Sequence, residues 1–253
     1  MVVFTDLDGT LLDRDTYSYA QAMPAMTHLR ERGIPLVLVT SKTRAEVEAL
    51  RAGMGNTDPF IVENGAAVVI PGAPDFVMGS TAAAAREALR HASAVAGVVV
   101  RGFSAMPLGE ICSRTGLEAN VAELASRREF GEPFVVLEGD VLYLEAALDE
   151  IGFQLTRGGR FFHVLGGCDK GKAALALIDH LGDGDTVGLG DAPNDIVFLR
   201  EMRRAVIMPS EHLEVMRNAL PEAQVAGEAG PGGWNRVVIK LLELSNESAA
   251  VSL

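Results

Sequence analysis

Val2-Val3-Phe4-Thr5-Asp6-Leu7-Asp8-Gly9-Thr10-Leu11 carries four strand-forming residues straight into two carboxylates one residue apart, then a glycine. β-Branched and aromatic side chains favour a pleated strand. In an open α/β sheet, ligands bind outside the carboxyl ends of the strands. Asp6 and Asp8 therefore stand where a nucleophile and a proton shuttle are useful. Asp6–Gly9 also suits an ordinary turn, because Asp and Gly favour tight backbone geometry. The rest of the chain decides between the two readings.

Downstream, the pattern alternates. A helix is expected over Tyr19–Arg32, broken near its start by Pro24 and ended by Gly33. Ile34–Val39 is a continuous apolar run, as in a parallel strand covered on both faces. A charged helix follows over Thr43–Arg51. Strand Phe60–Val62 then meets a hairpin partner, Ala66–Ile70, across Glu63-Asn64-Gly65.

After about residue 80 the pattern changes. Helix Ala82–His91 leads to strand Val98–Arg101, then helices Pro107–Arg114 and Leu117–Arg128. Strand Phe134–Leu137, helix Val141–Ile151 and strands Phe153–Thr156 and Phe161–Val164 follow, the last two around Gly158-Gly159. From Cys168 the alternation resumes with helix Gly171–His180, strand Thr186–Leu189, helix Asn194–Arg200, strand Ala205–Ile207 and helices Glu211–Ala219 and Trp234–Leu244. The tail after Ser245 is expected to fray. The expected fold class is α/β: a Rossmann-like parallel-sheet core over 1–80 and 167–253, with an inserted α+β cap domain over 81–166. No internal repeat is visible.

Composition narrows the function. The 253 residues suit one large domain or a core with an insertion. A formal charge of −12 repels a phosphate backbone, so neither nucleic acid nor an anionic membrane is an expected partner. A local site can still oppose that field and take a small phosphorylated substrate. Cys112 and Cys168 lie far apart without metal spacing, and read as thiols of a reducing cytoplasm. No apolar stretch approaches the ~20 residues that span a bilayer. No basic leader precedes the first strand, so no signal peptide is expected. Monomer and homodimer both remain open.

Four points recur at strand ends or helix starts: Asp6/Asp8; Thr40-Ser41-Lys42; Lys170 in Gly166-Gly167-Cys168-Asp169-Lys170-Gly171; and Gly190-Asp191-Ala192-Pro193-Asn194-Asp195. Each has a plain reading. Thr40 or Ser41 can cap the next helix. Lys170 can be solvated, and Gly190-Asp191 can be a simple turn. Together they supply an acid pair, a hydroxyl, a cation and a third acidic cluster, which suits phosphoryl transfer through Mg²⁺. A phosphomonoester dianion repels an approaching carboxylate, and Mg²⁺ with hard oxygen ligands offsets that repulsion. Lys170 adds fixed positive charge, while Thr40 and nearby N–H groups donate to phosphate oxygens.

This ordered set resembles the haloacid dehalogenase superfamily of phosphatases. Asp6-Leu7-Asp8-Gly9-Thr10 is similar to its first motif, Thr40 to its second, Lys170 to its third, and Asp191 with Asn194-Asp195 to its fourth. The resemblance implies Asp6 as nucleophile and Asp8 as acid/base, with Thr40 and Lys170 completing the catalytic set. It implies Mg²⁺ held by Asp6, the Asp8 carbonyl and Asp191, supported by Asn194 or Asp195.

Segments Arg127–Phe134, Gly158–His163, Asp169–Lys172, Thr40–Thr43 and Glu63–Gly65 further resemble the mannosyl-3-phosphoglycerate phosphatase family. That implies release of phosphate from mannosyl-3-phosphoglycerate to give mannosylglycerate, a compatible solute. The substrate-binding residues so marked are Ser41, Lys42, Asn64, Arg128, Glu132, Gly159, Arg160 and His163. A carboxylate, a phosphate and a sugar need cations and donors, which Arg128, Arg160 and His163 offer. Gly158-Gly159 lets backbone N–H groups approach a ligand. Plainer roles stay open. Arg127 and Arg128 close a helix at its negative dipole end. His163 suits a hairpin, and Glu132 either positions a loop or binds sugar hydroxyls. Glucosyl-3-phosphoglycerate and sucrose-phosphate phosphatases and phosphomannomutases share the core motifs. A non-catalytic phosphosugar-binding regulator would usually lack Asp6, Asp8 or Lys170, and all three are present.

Overall fold

The computed structural model describes residues 1–157, 161–182 and 184–251, with 245–251 by backbone alone. In chain order the elements are β1 (Val2–Thr5), α1 (Met23–Glu31), β2 (Leu36–Val39), α2 (Arg44–Met54), β3 (Phe60–Val62), β4 (Ala67–Val69), β5 (Phe76–Val77), α3 (Ala82–Ala96), β6 (Val99–Gly102), α4 (Leu108–Thr115) and α5 (Ala119–Ser126). There follow β7 (Glu132–Glu138), α6 (Val141–Asp149), β8 (Phe153–Arg157), β9 (Phe162–Gly166), α7 (Lys170–Leu181), β10 (Thr186–Gly190), α8 (Ile196–Leu199), β11 (Arg204–Ile207), α9 (Leu213–Ala219), β12 (Gln224–Val225) and α10 (Gly230–Val251). They form two compact units, Met1–Val39 with Ile178–Leu253, and Thr40–Leu177.

The first unit holds parallel strands in the order β12-β11-β10-β1-β2. β1 lies between β10 and β2, where the strand order reverses direction. That is the topological switch point of an open α/β sheet, and its carboxyl side is a crevice for ligands. Val3, Phe4, Val37, Leu38, Val187 and Leu189 are all buried, as strands covered on both faces require. A short 3₁₀ turn, Ala20–Ala22, precedes α1, and Pro24 falls in the first helical turn. Proline is tolerated there because that N–H has no intrahelical partner. α1 is tied to α10: Asn235 Oδ1 accepts the Ala25 N–H, and Arg32 donates to the Leu242 carbonyl.

The second unit contains the antiparallel ribbon β3-β4-β5 and an antiparallel sheet in the order β6-β7-β9-β8. Leu89 of α3 and Leu144 and Leu148 of α6 pack with Phe134 and Val164 of that sheet. Alternation along β7 turns Val135 to the opposite face, where it meets Phe103, Ile111, Ala122 and Ala125. The fold is thus α/β, with a Rossmann-like parallel sheet and an α+β segment.

Several boundaries differ from expectation. α2 continues past Gly53 to Met54 and stops at Gly55, which takes the left-handed cap. α3 runs on to Ala96 before the left-handed Gly97. α10 extends through Val251 instead of fraying after Ser245. No Gly or Pro interrupts it beyond Gly233. β5 and β12 have two residues each, too short for a period to register. No helix of the described residues is long and apolar enough to cross a membrane.

Candidate active site

In the first unit, β1 delivers Asp6 at its carboxyl end, with the Asp6 N–H donating to the Leu189 carbonyl at 2.9 Å. The Thr5 hydroxyl donates to the Asp6 carbonyl at 2.8 Å and accepts the Trp234 indole N–H at 3.0 Å. Trp234 is the chain's one tryptophan and is fully buried. The following turn closes on the Leu7 carbonyl, which accepts from Thr10 and Leu12. Gly9 is required twice over. Its φ is +85°, and a Cβ there would lie 2.7 Å from Asp191 Oδ2. Asp8 is half-buried beside it.

β10 delivers Asp191 on the adjacent strand end. Thr10 Oγ1 donates to Asp191 Oδ1 at 3.0 Å, and Ser210 Oγ donates to the Asp191 carbonyl at 2.6 Å. Asp195 Oδ2 accepts the N–H groups of Asp191 and Ala192, both at 3.0 Å. Asp6, Asp191 and Asp195 are buried, and each offers a carboxylate oxygen within 4.8 Å of the others. Three anions at that spacing repel strongly unless a cation joins them. All-oxygen donors suit a hard divalent ion, so this set fits Mg²⁺. Asp195, expected only in support, is one of the three, and half-buried Asn194 lies beside it in the turn Pro193–Asp195.

In the second unit, Thr40, Asn64 and Lys170 come together through the backbone. The Asn64 N–H donates to the Thr40 carbonyl at 2.9 Å, and the Glu63 N–H to the Lys42 carbonyl at 3.0 Å. Thr40 Oγ1 accepts the Lys42 N–H at 3.1 Å. The helix cap falls to Thr43, which forms a reciprocal capping box with Glu46. Ser41 and Lys42 are half-buried in between. Glu63, Asn64 and Gly65 all have positive φ: 47°, 58° and 93°. A Cβ on Gly65 would stand 2.1 Å from the Asp169 carbonyl oxygen and 2.8 Å from the Lys170 nitrogen. Lys170 opens α7 as a buried lysine, not as the solvated side chain that lysines usually present.

The residues marked for substrate binding in 81–166 fare differently. Arg128 Nε donates to Glu63 Oε2 at 3.1 Å, and its terminal nitrogen donates to the Ser41 carbonyl at 2.9 Å. Its side chain is 8% exposed, so the guanidinium serves an internal carboxylate instead of closing α5, which ends at Ser126. Burial pushes the Glu63 carboxyl up, against the pull of Arg128 and the amides of Glu129 and Phe130. Glu132 Oε1 accepts from the Ser104 N–H and hydroxyl at 2.9 and 2.7 Å, contacts that hold the Ser104 loop. Gly159 and Arg160 lie outside the described residues.

His163 sits in β9, opposite Thr156 of β8 and Pro133 of β7. Burial, with Arg128 and Lys170 nearby, pushes its pKa down to about 3. His163 is therefore neutral at every working pH. The unfolded chain takes up a proton below about pH 6.5 that the native ring refuses. Stability owed to this ring should fall as pH drops from about 6.5 towards 3, by about 1.4 kcal/mol per pH unit. Denaturant unfolding of the wild type at pH 7 and 4.5 should thus lose more stability than the same comparison for His163→Gln. Equal losses would show that the ring protonates in the native state.

Asp6 and Asp191 on neighbouring parallel strand ends, with Asp195, form an acidic site suited to holding a divalent ion. The haloacid dehalogenase-like hydrolase family matches residues 3–90. A glucosyl-3-phosphoglycerate/mannosyl-3-phosphoglycerate phosphatase of Persephonella marina is 38% identical, across 96% of this chain and 97% of its own. A protein of the same description from Methanococcoides burtonii is 33% identical across 97% and 98%. A solved Thermoplasma acidophilum structure shares the fold with a TM-score of 0.73, at 19% identity over 96% of this chain and 98% of its own. The chain belongs to the haloacid dehalogenase-like hydrolases, as a phosphatase resembling mannosyl-3-phosphoglycerate phosphatase.

Proposed function

We propose that the chain hydrolyses the phosphomonoester of mannosyl-3-phosphoglycerate, and of its glucosyl counterpart, to inorganic phosphate and the glycosylglycerate. The observation that carries this reading is the buried trio Asp6, Asp191 and Asp195 at the switch point of the sheet. The full-length similarity to phosphatases named for those two substrates supports the choice of substrate.

Bound Mg²⁺ would offset the charge of the phosphate and of the attacking carboxylate. Asp6, Asp191 and the Asp8 carbonyl would hold it, with Asn194 and Asp195 in support. An Asp6 oxygen attacks phosphorus, the ester P–O bond breaks, and Asp8 gives its proton to the departing alkoxide. Water then attacks the aspartyl-phosphate while Asp8 takes back a proton, and phosphate leaves. Thr40 and Lys170 donate to the phosphate oxygens. Residues 81–166 are the proposed specificity domain. Within and beside it, Ser41, Lys42, Asn64, Arg128, Glu132, Gly159, Arg160 and His163 form the proposed substrate set. The product would serve as a compatible solute in the cytoplasm.

Phosphate release should be measured with Mg²⁺ across mannosyl- and glucosyl-3-phosphoglycerate, 3-phosphoglycerate, sucrose phosphate and mannose phosphates. The two glycosyl-3-phosphoglycerates should exceed the others in kcat/KM by at least about 100-fold, which needs about 2.7 kcal/mol of selective transition-state binding. A hexose phosphate or sucrose phosphate as best substrate would replace the reading. Activation by a sugar bisphosphate would point to a mutase.

A further inference from the structure

We infer that Glu63 is a positioning residue: held by Arg128 and two backbone amides, it fixes the turn that aligns Thr40 and Lys170. The inference rests on the proposed phosphate-binding roles of those two residues. Glu63 and Asn64 are non-glycine residues in the left-handed region, next to a left-handed Gly65. Such a run persists only where surrounding contacts over-determine it. Here they do. The Glu63 carboxylate is wholly buried and receives three donors: Arg128 Nε at 3.1 Å, the Glu129 N–H at 2.9 Å and the Phe130 N–H at 3.2 Å.

The turn transmits its position in two directions. Its N–H groups reach the Thr40 and Lys42 carbonyls, and Arg128 adds the Ser41 carbonyl. The whole Thr40-Ser41-Lys42 backbone is thereby referenced to one carboxylate. On the other side, Gly65 packs against Asp169–Lys170 so closely that no side chain fits. A shift of the turn must move the start of α7, and Lys170 with it. A carboxylate suits this task better than an amide. It accepts from all three donors at once, whereas Gln turns an NH₂ towards some of them. Without it, Arg128 becomes a buried cation lacking its partner.

The test uses the full-length protein. Glu63→Ala and Glu63→Gln are compared for kcat and KM on an aryl phosphate and on mannosyl-3-phosphoglycerate. Inorganic phosphate affinity in Mg²⁺ is read by calorimetry, which needs no turnover. Glu63→Ala should weaken phosphate binding at least tenfold and lower kcat/KM at least 100-fold on both esters. Glu63→Gln should recover part of each loss, because it restores the shape and one acceptor. Arg128→Lys, which keeps the cation but loses the fork, should lose three- to tenfold and provides the folded comparison if Glu63→Ala does not fold. Unchanged phosphate affinity and kcat/KM in folded variants, with only a lower melting temperature, would overturn the inference. If the wild type turns over the aryl ester but no glycosyl-phosphoglycerate, the substrate reading fails, while the phosphate data still decide Glu63.

Discussion

Asp6→Asn is expected to lower turnover by about 10⁴-fold or more, with the fold intact. Asparagine keeps the shape of the side chain and loses the anionic oxygen that would attack phosphorus. Loss of a covalent nucleophile is among the largest single-residue effects in enzymes. The local backbone should not move. It is held by the Asp6 N–H on Leu189 and by the Thr5 hydroxyl, itself fixed by Trp234. The substitution also removes one of three clustered carboxylates, so metal affinity changes too. Turnover must therefore be compared at saturating Mg²⁺. If more than about a tenth of wild-type turnover survived there, Asp6 would not be the nucleophile.

Removal of divalent ions is expected to take phosphatase activity down by at least about 10³-fold, and Mg²⁺ to restore it. The cause is electrostatic. Asp6, Asp191 and Asp195 each place a carboxylate oxygen within 4.8 Å of the others, and an incoming phosphate dianion adds to their repulsion. The same crowding gives a readout free of turnover: Mg²⁺ should raise the melting temperature, since it binds only the native cluster. Thr10→Val probes the orientation of the site. It removes the hydroxyl on Asp191 Oδ1 and should weaken Mg²⁺ by about 10- to 100-fold, as loss of an outer partner of a ligand does. Full activity in excess chelator would eliminate the metal role.

The sheet was legible because parallel strands leave a strong trace. Val2–Thr5, Leu36–Val39 and Thr186–Gly190 are short, buried and mostly apolar segments, each followed directly by a polar residue, Asp6, Thr40 or Asp191. Those endings also exposed Asp6, Asp191 and Asp195. Thr10 and Ser210 escaped notice as partners of Asp191, since a hydroxyl's target depends on how strands pair. Glu63 was hidden for a different reason. A glutamate in a Glu-Asn-Gly turn reads as solvated, and donors far along the chain, Arg128 and the amides of Glu129 and Phe130, make it internal. The Arg128 partner was hidden in the same way, because nothing local to a cation after a helix names its carboxylate. The Lys170 environment could not be read locally either. Locally Lys170 shows only as a lysine at a helix start, while Gly65 meets the Asp169–Lys170 backbone at a distance only glycine allows.

Trp234 and Thr5 are 229 residues apart, and their hydrogen bond ties the last long helix to the first strand. On the ribosome, β1 emerges well before its neighbour β10 and before the indole that fixes Thr5. At roughly 5–20 residues per second, Asp6 waits on the order of ten seconds or more for its full setting. Contacts of such long sequence separation form slowly, because a large loop must close before they stabilise anything. β2 can cover one edge of Val2–Thr5 early, but the edge that meets β10, beside Asp6, stays open until residue 186 and beyond are made.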